Sequence, residues 1–286
     1  NSFSDKRSKN ARLVRGSHIV VNKLYDHDKS FICQNDDGRI FFMIPYEDKF
    51  TLIGTTDVDH GQSASEVEIT EEEKQYICDS ANTYLNAEIK LTDIVWCFSG
   101  VRPLYDDGAS KAQEATRDYV IKAEEHDSLL MINIFGGKIT TYRRLSEAIL
   151  KHIETFLGQR GNPWTDKSSL PGGDFAIDGK FDLNNKIQEK YSFLNEEIVK
   201  RLVRSYGTVS FDILGNAKNI ESLGENFGSG LYEKEVIYLI QNEWARSSED
   251  ILFRRSKLGL SLTKNEKKKL DKFLEDYYKL NNVSES

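Results

Sequence analysis

The stretch Phe135-Gly136-Gly137-Lys138-Ile139-Thr140-Thr141-Tyr142-Arg143 limits the possible folds of this chain more than any other. It follows an apolar run, Leu129–Phe135, that reads as a buried strand. It opens a pattern of Tyr142, Leu145, Ile149, Ile153 and Phe156, spaced 3, 4, 4 and 3, which predicts an amphipathic helix over 140–157. Two glycines and a lysine therefore sit where a strand becomes a helix. First-turn helix amides have no internal partners, and the helix dipole adds partial positive charge there. Glycines let an anion approach the backbone and Lys138 adds a full charge, so the turn suits a phosphate or a polarised cofactor edge. A plain tight turn is the alternative that the residues leave open.

The segments before this point read as an α+β arrangement. Strands are expected at Ser17–Tyr25, Ser30–Gln34, Arg39–Pro45 and Phe50–Thr55, with Asn35-Asp36-Asp37-Gly38 as a hairpin turn. Thr70-Glu71-Glu72-Glu73 has the spacing of a capping box and predicts a helix to about Leu85. Further strands are expected at Val95–Gly100, Tyr119–Glu124 and Leu129–Phe135. Gly158 suits the end of the helix that follows, and a breaker-rich stretch, Gly158 to Pro163 and then Leu170-Pro171-Gly172-Gly173, marks a boundary. Beyond it the pattern is helical: Ile187, Tyr191 and Phe193, then Ile198 to Tyr206 stopped by Gly207, Glu233–Trp244, Glu249–Arg255, and Lys264 to about Leu280. The reading is an α+β domain over 1–160 and an all-helical domain over 165–286.

A net charge of −7 argues against bulk nucleic-acid binding. Cys33, Cys78 and Cys97 are widely spaced and form no CxxC pair, so they read as buried free thiols of a reducing compartment, and no metal site is expected. No apolar run approaches the roughly 20 residues that cross a bilayer. The chain starts without Met and runs from a polar, basic stretch straight into a strand, which reads as the later part of a longer protein.

Four further groups could carry chemistry. Arg102 ends the apolar strand Val95–Gly100 in Ser99-Gly100-Val101-Arg102-Pro103, and Arg117 lies in Ala115-Thr116-Arg117-Asp118-Tyr119. The planar fork of arginine suits bidentate recognition of phosphate or carboxylate, and with Lys138 the two could surround one dianion. Each could equally pair with a nearby acid such as Asp106, Asp107 or Asp118. His18, inside a β run, is either a core residue or a general base. Thr55-Thr56, at a strand end, either bonds a cofactor or simply ends the strand. His27, His60, His126 and His152 read as solvated, and the basic cluster Lys264–Lys269 as a solvated helix face. No G-x-G-x-x-G follows a strand, so the chain has no Rossmann fingerprint of its own.

Taken together, these residues resemble the later portion of the aerobic, FAD-dependent glycerol-3-phosphate dehydrogenase family. The resemblance rests on Gly16-Ser17-His18-Ile19-Val20-Val21, Ile53-Gly54-Thr55-Thr56-Asp57, Ser99-Gly100-Val101-Arg102-Pro103-Leu104, Thr116-Arg117-Asp118-Tyr119 and Phe135-Gly136-Gly137-Lys138. It continues through Leu170-Pro171-Gly172-Gly173, Leu214-Gly215-Asn216-Ala217, Leu223-Gly224-Glu225 and Arg254-Arg255. It implies an antiparallel-sheet substrate domain, a returning strand and helix of the flavin domain, and a helical C-terminal domain. It implies oxidation of sn-glycerol 3-phosphate to dihydroxyacetone phosphate, with electrons passed from FAD to a quinone, or to oxygen as in related oxidases. Arg102 and Arg117 would bind substrate, with Thr55 near substrate or flavin. His18 and Lys138 would be catalytic, and Gly136, Gly137, Lys138 and Thr140 would hold the flavin edge. The Gly-rich N-terminal FAD-binding half is the part this chain lacks, which implies an isolated fragment that is inactive. The expected setting is cytoplasmic, peripheral on the inner membrane, with a homodimer possible and no nucleic acid.

Overall fold

The structure is a computed structural model and describes residues 11–61, 63–65, 67–106 and 118–281. It divides into two compact units, Asn1–Thr165 and Asp166–Ser286. The first is built on an antiparallel sheet whose central strand is β1 (Ala11–Asn22). One edge of β1 pairs with β4 (Phe50–Gly54), His18 opposite Gly54, and with the short β5 (Val58–Asp59), Val14 opposite Asp59. The other edge pairs along its length with β6 (Ile94–Tyr105), His18 opposite Phe98 and Val14 opposite Arg102. β3 (Ile40–Tyr46) and β2 (Phe31–Gln34) extend the sheet beyond β4. The β2–β3 turn is the expected one: Gly38 has φ +81° and donates its N–H to Asn35 C=O.

Side chains alternate across a sheet, so the register assigns its two faces. Ile19, Val21, Cys33, Phe41, Met43 and Ile53 pack with Ile77, Cys78 and Ala81 of α1 (Glu71–Asn82). The opposite face carries the row Ile32, Phe42, Gly54, His18 and Phe98, linked partner to partner across β2, β3, β4, β1 and β6. α1 begins with the expected capping box. Thr70 Oγ1 accepts from Glu73 N–H, and Thr70 N–H donates to Glu73 Oε2 at 3.1 Å.

Two strands run further than the hydrophobic pattern predicts. β1 starts at Ala11, ahead of Ser17, because its charged residues have distant partners: Arg12 pairs with Asp59 at 2.6 Å and Arg15 with Glu73 at 2.9 Å. β6 continues past Gly100 through Pro103 to Tyr105. Among the described strands it pairs only with β1, and a strand edge tolerates a residue that has no N–H. Two other expectations need correction. Cys33 and Cys78 are buried but Cys97 only half so. His60 is buried, with Nε2 3.1 Å from Ser63 C=O.

β7 (Val120–His126) and β8 (Leu129–Phe135) form a separate hairpin, Val120 opposite Phe135. α2 (Tyr142–Leu157) follows, and although its apolar residues hold helical spacing, none of them is buried.

The second unit is helical, with α3 (Lys180–Lys190), α4 (Glu196–Tyr206), α5 (Ser210–Leu214), α6 (Glu233–Asn242) and α7 (Lys264–Leu280). Gly207 stops α4, as the sequence suggests. Asp250–Arg255 is helical as the pattern suggests, and takes the π form. Leu270 and Leu274 of α7 are buried in the core beside Phe273, Tyr277 and Tyr278. Through this core runs a bidentate ion pair: Arg201 donates to Glu235 Oε1 at 2.6 Å and Oε2 at 2.7 Å, and Tyr206 donates to the same carboxylate at 2.7 Å. Arg201 also donates to Gly230 C=O at 2.8 Å. Removing one member leaves the other charge buried alone, at a cost of about 3–5 kcal/mol. Arg201→Met should lower the unfolding free energy by that order, as followed by urea denaturation read by far-ultraviolet circular dichroism. A change within error would show the pair to be energetically neutral.

Candidate active site

The face of the sheet opposite α1 carries the candidate chemistry. Gly16, Gly100 and Gly54 leave parts of this face without side chains. A Cβ on Gly16 would lie 2.4 Å from Arg102 Nη1, so the guanidinium rests on the bare backbone of β1. A Cβ on Gly100 would meet nothing within 4 Å, which leaves open space beside it. A Cβ on Gly54 would lie 2.5 Å from His18 Cδ2, so this glycine lets the imidazole lie across β4.

Arg102 is held from below by the turn after β4. Its Nη2 donates to Thr55 Oγ1 and its Nη1 to Asp57 Oδ1, both at 3.1 Å. Thr55 Oγ1 donates in turn to Thr56 C=O at 3.0 Å. The alternative partners weighed for Arg102 from sequence, Asp106, Asp107 and Asp118, omit the one it takes, Asp57. The signal was present in Ile53-Gly54-Thr55-Thr56-Asp57, but pairing across 45 residues is a tertiary fact. The Arg102 side chain stays about one-third exposed, which leaves it a side open to solvent.

His18 stacks face to face on Phe98, with centroids 5.0 Å apart and planes inclined by 8°. Its Nδ1 is buried without a hydrogen-bond partner among the described residues. Burial, and next the positive charge of Arg102, pull its pKa from the ordinary 6.5 down to about 4. The ring is therefore neutral at pH 7 and keeps a lone pair. Thus Arg102, Thr55 and His18, chosen from sequence, converge on one face.

The Gly-Gly-Lys turn docks on the strand that carries Arg102. Gly136 (φ +67°) and Gly137 (φ +96°) both take left-handed backbone. A Cβ on Gly136 would lie 3.2 Å from Asp118 C=O and 3.5 Å from Tyr105 N of β6. Lys138 and Thr140 are exposed. The helix does not begin at Thr140, however: Ile139–Thr141 form a 3-10 turn and α2 starts at Tyr142. Thr141 N–H already donates to Lys138 C=O at 2.9 Å and Tyr142 N–H to Ile139 C=O, so two amides expected to face a ligand are bonded internally. Arg117 lies outside the described residues.

Sequence reasoning missed Glu73. Its buried carboxylate accepts from Ser17 Oγ at 2.9 Å and Thr56 Oγ1 at 2.8 Å, and pairs with Arg15. The capping box marked its helical role and gave no sign of the rest.

Residues 2–143 match the family described as FAD dependent oxidoreductase, and residues 163–280 match the C-terminal domain of alpha-glycerophosphate oxidase. The chain belongs to the FAD dependent oxidoreductase family. FAD is that family's cofactor, and Gly137 and Lys138 of the turn are exposed, as docking of a polar group there requires. The chain is 40% identical over 268 residues to the aerobic glycerol-3-phosphate dehydrogenase of Escherichia coli, covering 93% of this chain and 53% of that protein. It is 40% identical to the glycerol-3-phosphate dehydrogenase of Pseudomonas aeruginosa, with 92% and 52% covered. To the D-erythritol 1-phosphate dehydrogenase of Brucella abortus it is 39% identical, with 93% and 53% covered. It thus spans about half the length of these relatives. The fold matches the glycerol-3-phosphate dehydrogenase of Bacillus halodurans, solved with FAD, at a TM-score of 0.68 and 22% identity, over 93% of this chain and 56% of that one.

The state of His18 can be tested directly. Between about 4 and 6.5 the unfolded chain binds the proton more readily than the folded one, so stability is lost as pH falls through that window. His18→Asn should flatten this part of the profile, compared by urea midpoints at pH 6.5 and pH 4. Parallel profiles for the two chains would show that His18 is not held neutral.

Proposed function

We propose that this chain is the substrate-binding and C-terminal portion of an FAD-dependent glycerol-3-phosphate dehydrogenase, which oxidises sn-glycerol 3-phosphate to dihydroxyacetone phosphate. The observation that carries the reading is the Arg102 fork, braced by Thr55 and Asp57 over glycine backbone, beside an imidazole kept neutral. A phosphate needs the first and a secondary alcohol losing its proton needs the second.

Arg102 takes the phosphate on its exposed side, with Arg117 as its partner, and Thr55 fixes the plane of the guanidinium. His18 or Lys138 accepts the proton of the C2 hydroxyl. Burial, and next the Arg102 charge, hold the His18 pKa down; bound phosphate offsets the second of these and so favours proton acceptance by the imidazole. Gly136, Gly137, Lys138 and Thr140 hold the flavin edge. When bound, FAD supplies the acceptor for the hydride that leaves C2.

The flavin needs more protein than this chain provides. The apolar residues of α2 have no buried member, and Ile139 is 87% and Leu157 57% exposed, a surface suited to the N-terminal FAD-binding half of a longer protein. The chain alone is then inactive. A quinone takes the electrons, and the enzyme docks on the cytoplasmic face of the inner membrane, as a homodimer if at all oligomeric. No helix among the described residues is long and apolar enough to cross a membrane.

A second reading has oxygen as acceptor, favoured by the match of residues 163–280 to an oxidase C-terminal domain. Peroxide yield against quinone reduction separates the two. A third, in which the chain is a non-catalytic phosphate-binding module, predicts a folded complex that never retains flavin.

The flavin spectrum tests the first reading. With the upstream half supplied, bound flavin should bleach on addition of glycerol 3-phosphate; a folded complex without flavin would sink the enzymatic reading. In that complex Arg102→Ala should cost on the order of 2–5 kcal/mol in kcat/KM. An unchanged kcat/KM removes Arg102 from the site.

A further inference from the structure

We infer that Glu73, on the far side of the sheet from the candidate site, is a positioning residue that holds Arg102 in its phosphate-binding pose through Thr56. The inference rests on the reading of Arg102 as the phosphate clamp.

Glu73 is buried, and all its acceptor sites are engaged from different parts of the fold. Oε2 accepts from Thr70 N–H at 3.1 Å, which closes the capping box, and pairs with Arg15 at 2.9 Å. Oε1 accepts from Thr56 Oγ1 at 2.8 Å and from Ser17 Oγ at 2.9 Å. A carboxylate only accepts, so it fixes the direction of every bond around it. The single Thr56 proton goes to Glu73, which leaves its lone pair to take Ser17 N–H at 3.0 Å. The Ser17 proton also goes to Glu73, so Ser99 must be the donor in the 2.7 Å contact between the two hydroxyls. The network thus grips β1 at Arg15 and Ser17, β6 at Ser99, and the turn after β4 at Thr56.

These are the alternate neighbours of the site. His18 follows Ser17, Arg102 lies on the strand of Ser99, and Thr55 and Asp57 flank Thr56. Arg102 touches the residues on both sides of Thr56 and Glu73 touches Thr56 itself. Thr56 is 1% exposed and bonded on both its donor and acceptor sides, so the turn cannot shift without breaking a buried bond. The bracing of the guanidinium is therefore set from the opposite face. A capping box alone asks nothing of Thr56 or Ser17, which is what separates this role from helix capping.

Glu73→Gln keeps the shape and the helix-start preference but carries one acceptor and one donor group. Whichever way the amide turns, a donor faces either the two hydroxyls or Arg15 and Thr70 N–H. In the flavin-loaded full-length protein, E73Q should raise KM for glycerol 3-phosphate about tenfold or more with a much smaller change in kcat, the pattern of lost ground-state binding. Inorganic phosphate binding, read by calorimetry, should weaken in parallel. Thr56→Val removes the hydroxyl at nearly constant volume and should repeat both effects even if E73Q folds poorly. Thr56→Ser restores the hydroxyl and should recover them. Unchanged KM and phosphate affinity in T56V, with only a lower unfolding midpoint, would overturn the inference and leave Glu73 a folding residue. Arg102→Ala is the control that separates the two claims. If it leaves KM untouched, the phosphate reading of Arg102 falls and this inference with it. If it raises KM while T56V does not, only the positioning role falls.

Discussion

The buried carboxylate of Glu73 is the constraint on which the first unit turns. A charge without water requires donors on every lone pair. Here they come from β1, the turn after β4 and the start of α1. Meeting that requirement ties β1 and the turn after β4 to the start of α1. One residue thereby couples helix capping, strand pairing and the conformation of the Gly54–Asp57 turn. The second unit uses the same device in Arg201 and Glu235, where a buried pair is completed by Tyr206 and a backbone carbonyl.

The candidate site follows from what the other face of the sheet omits. Gly16 and Gly54 remove side chains where Arg102 and His18 need room, and Phe98 fixes the imidazole by stacking. Under the proposed function Arg102 serves two ends: it receives an anion on its exposed side, and its charge, after burial, helps keep His18 neutral. A dianion bound at the first would relax the second. On that reading, phosphate recognition and proton acceptance would be coupled by electrostatics between neighbours on one sheet face.

Several of these features could be read along the chain. The β2–β3 hairpin, the Thr70 capping box and β8 at Leu129–Phe135 emerged where residues a few positions apart placed them, although no residue of β8 is buried as its apolar run suggests. Thr55 and His18 were legible as strand-end and strand-embedded polar residues, whereas Arg102, read as ending a strand, lies inside β6. The early start of β1 was not, since Arg12 and Arg15 look like solvent residues until Asp59 and Glu73 are brought to them. The onset of α2 was placed two residues early for a related reason. Periodicity marks which residues face one side of a helix, not whether the first turn closes as 3-10 or α.

The sequence by itself determined the order of elements, the mixed sheet-and-helix character of the first unit, the helical second unit and the residue types available for phosphate and flavin. These are properties of local propensity and of motifs contiguous in the chain. Only the tertiary structure decided that Arg102 is braced by Thr55 and Asp57, that His18 is neutral, that His60 is buried and that Glu73 reaches Thr56 and Ser17. Each of these depends on groups brought together from distant positions and on the loss of water around them. Desolvation and long-range hydrogen bonding exist only once the sheet and α1 have closed on each other.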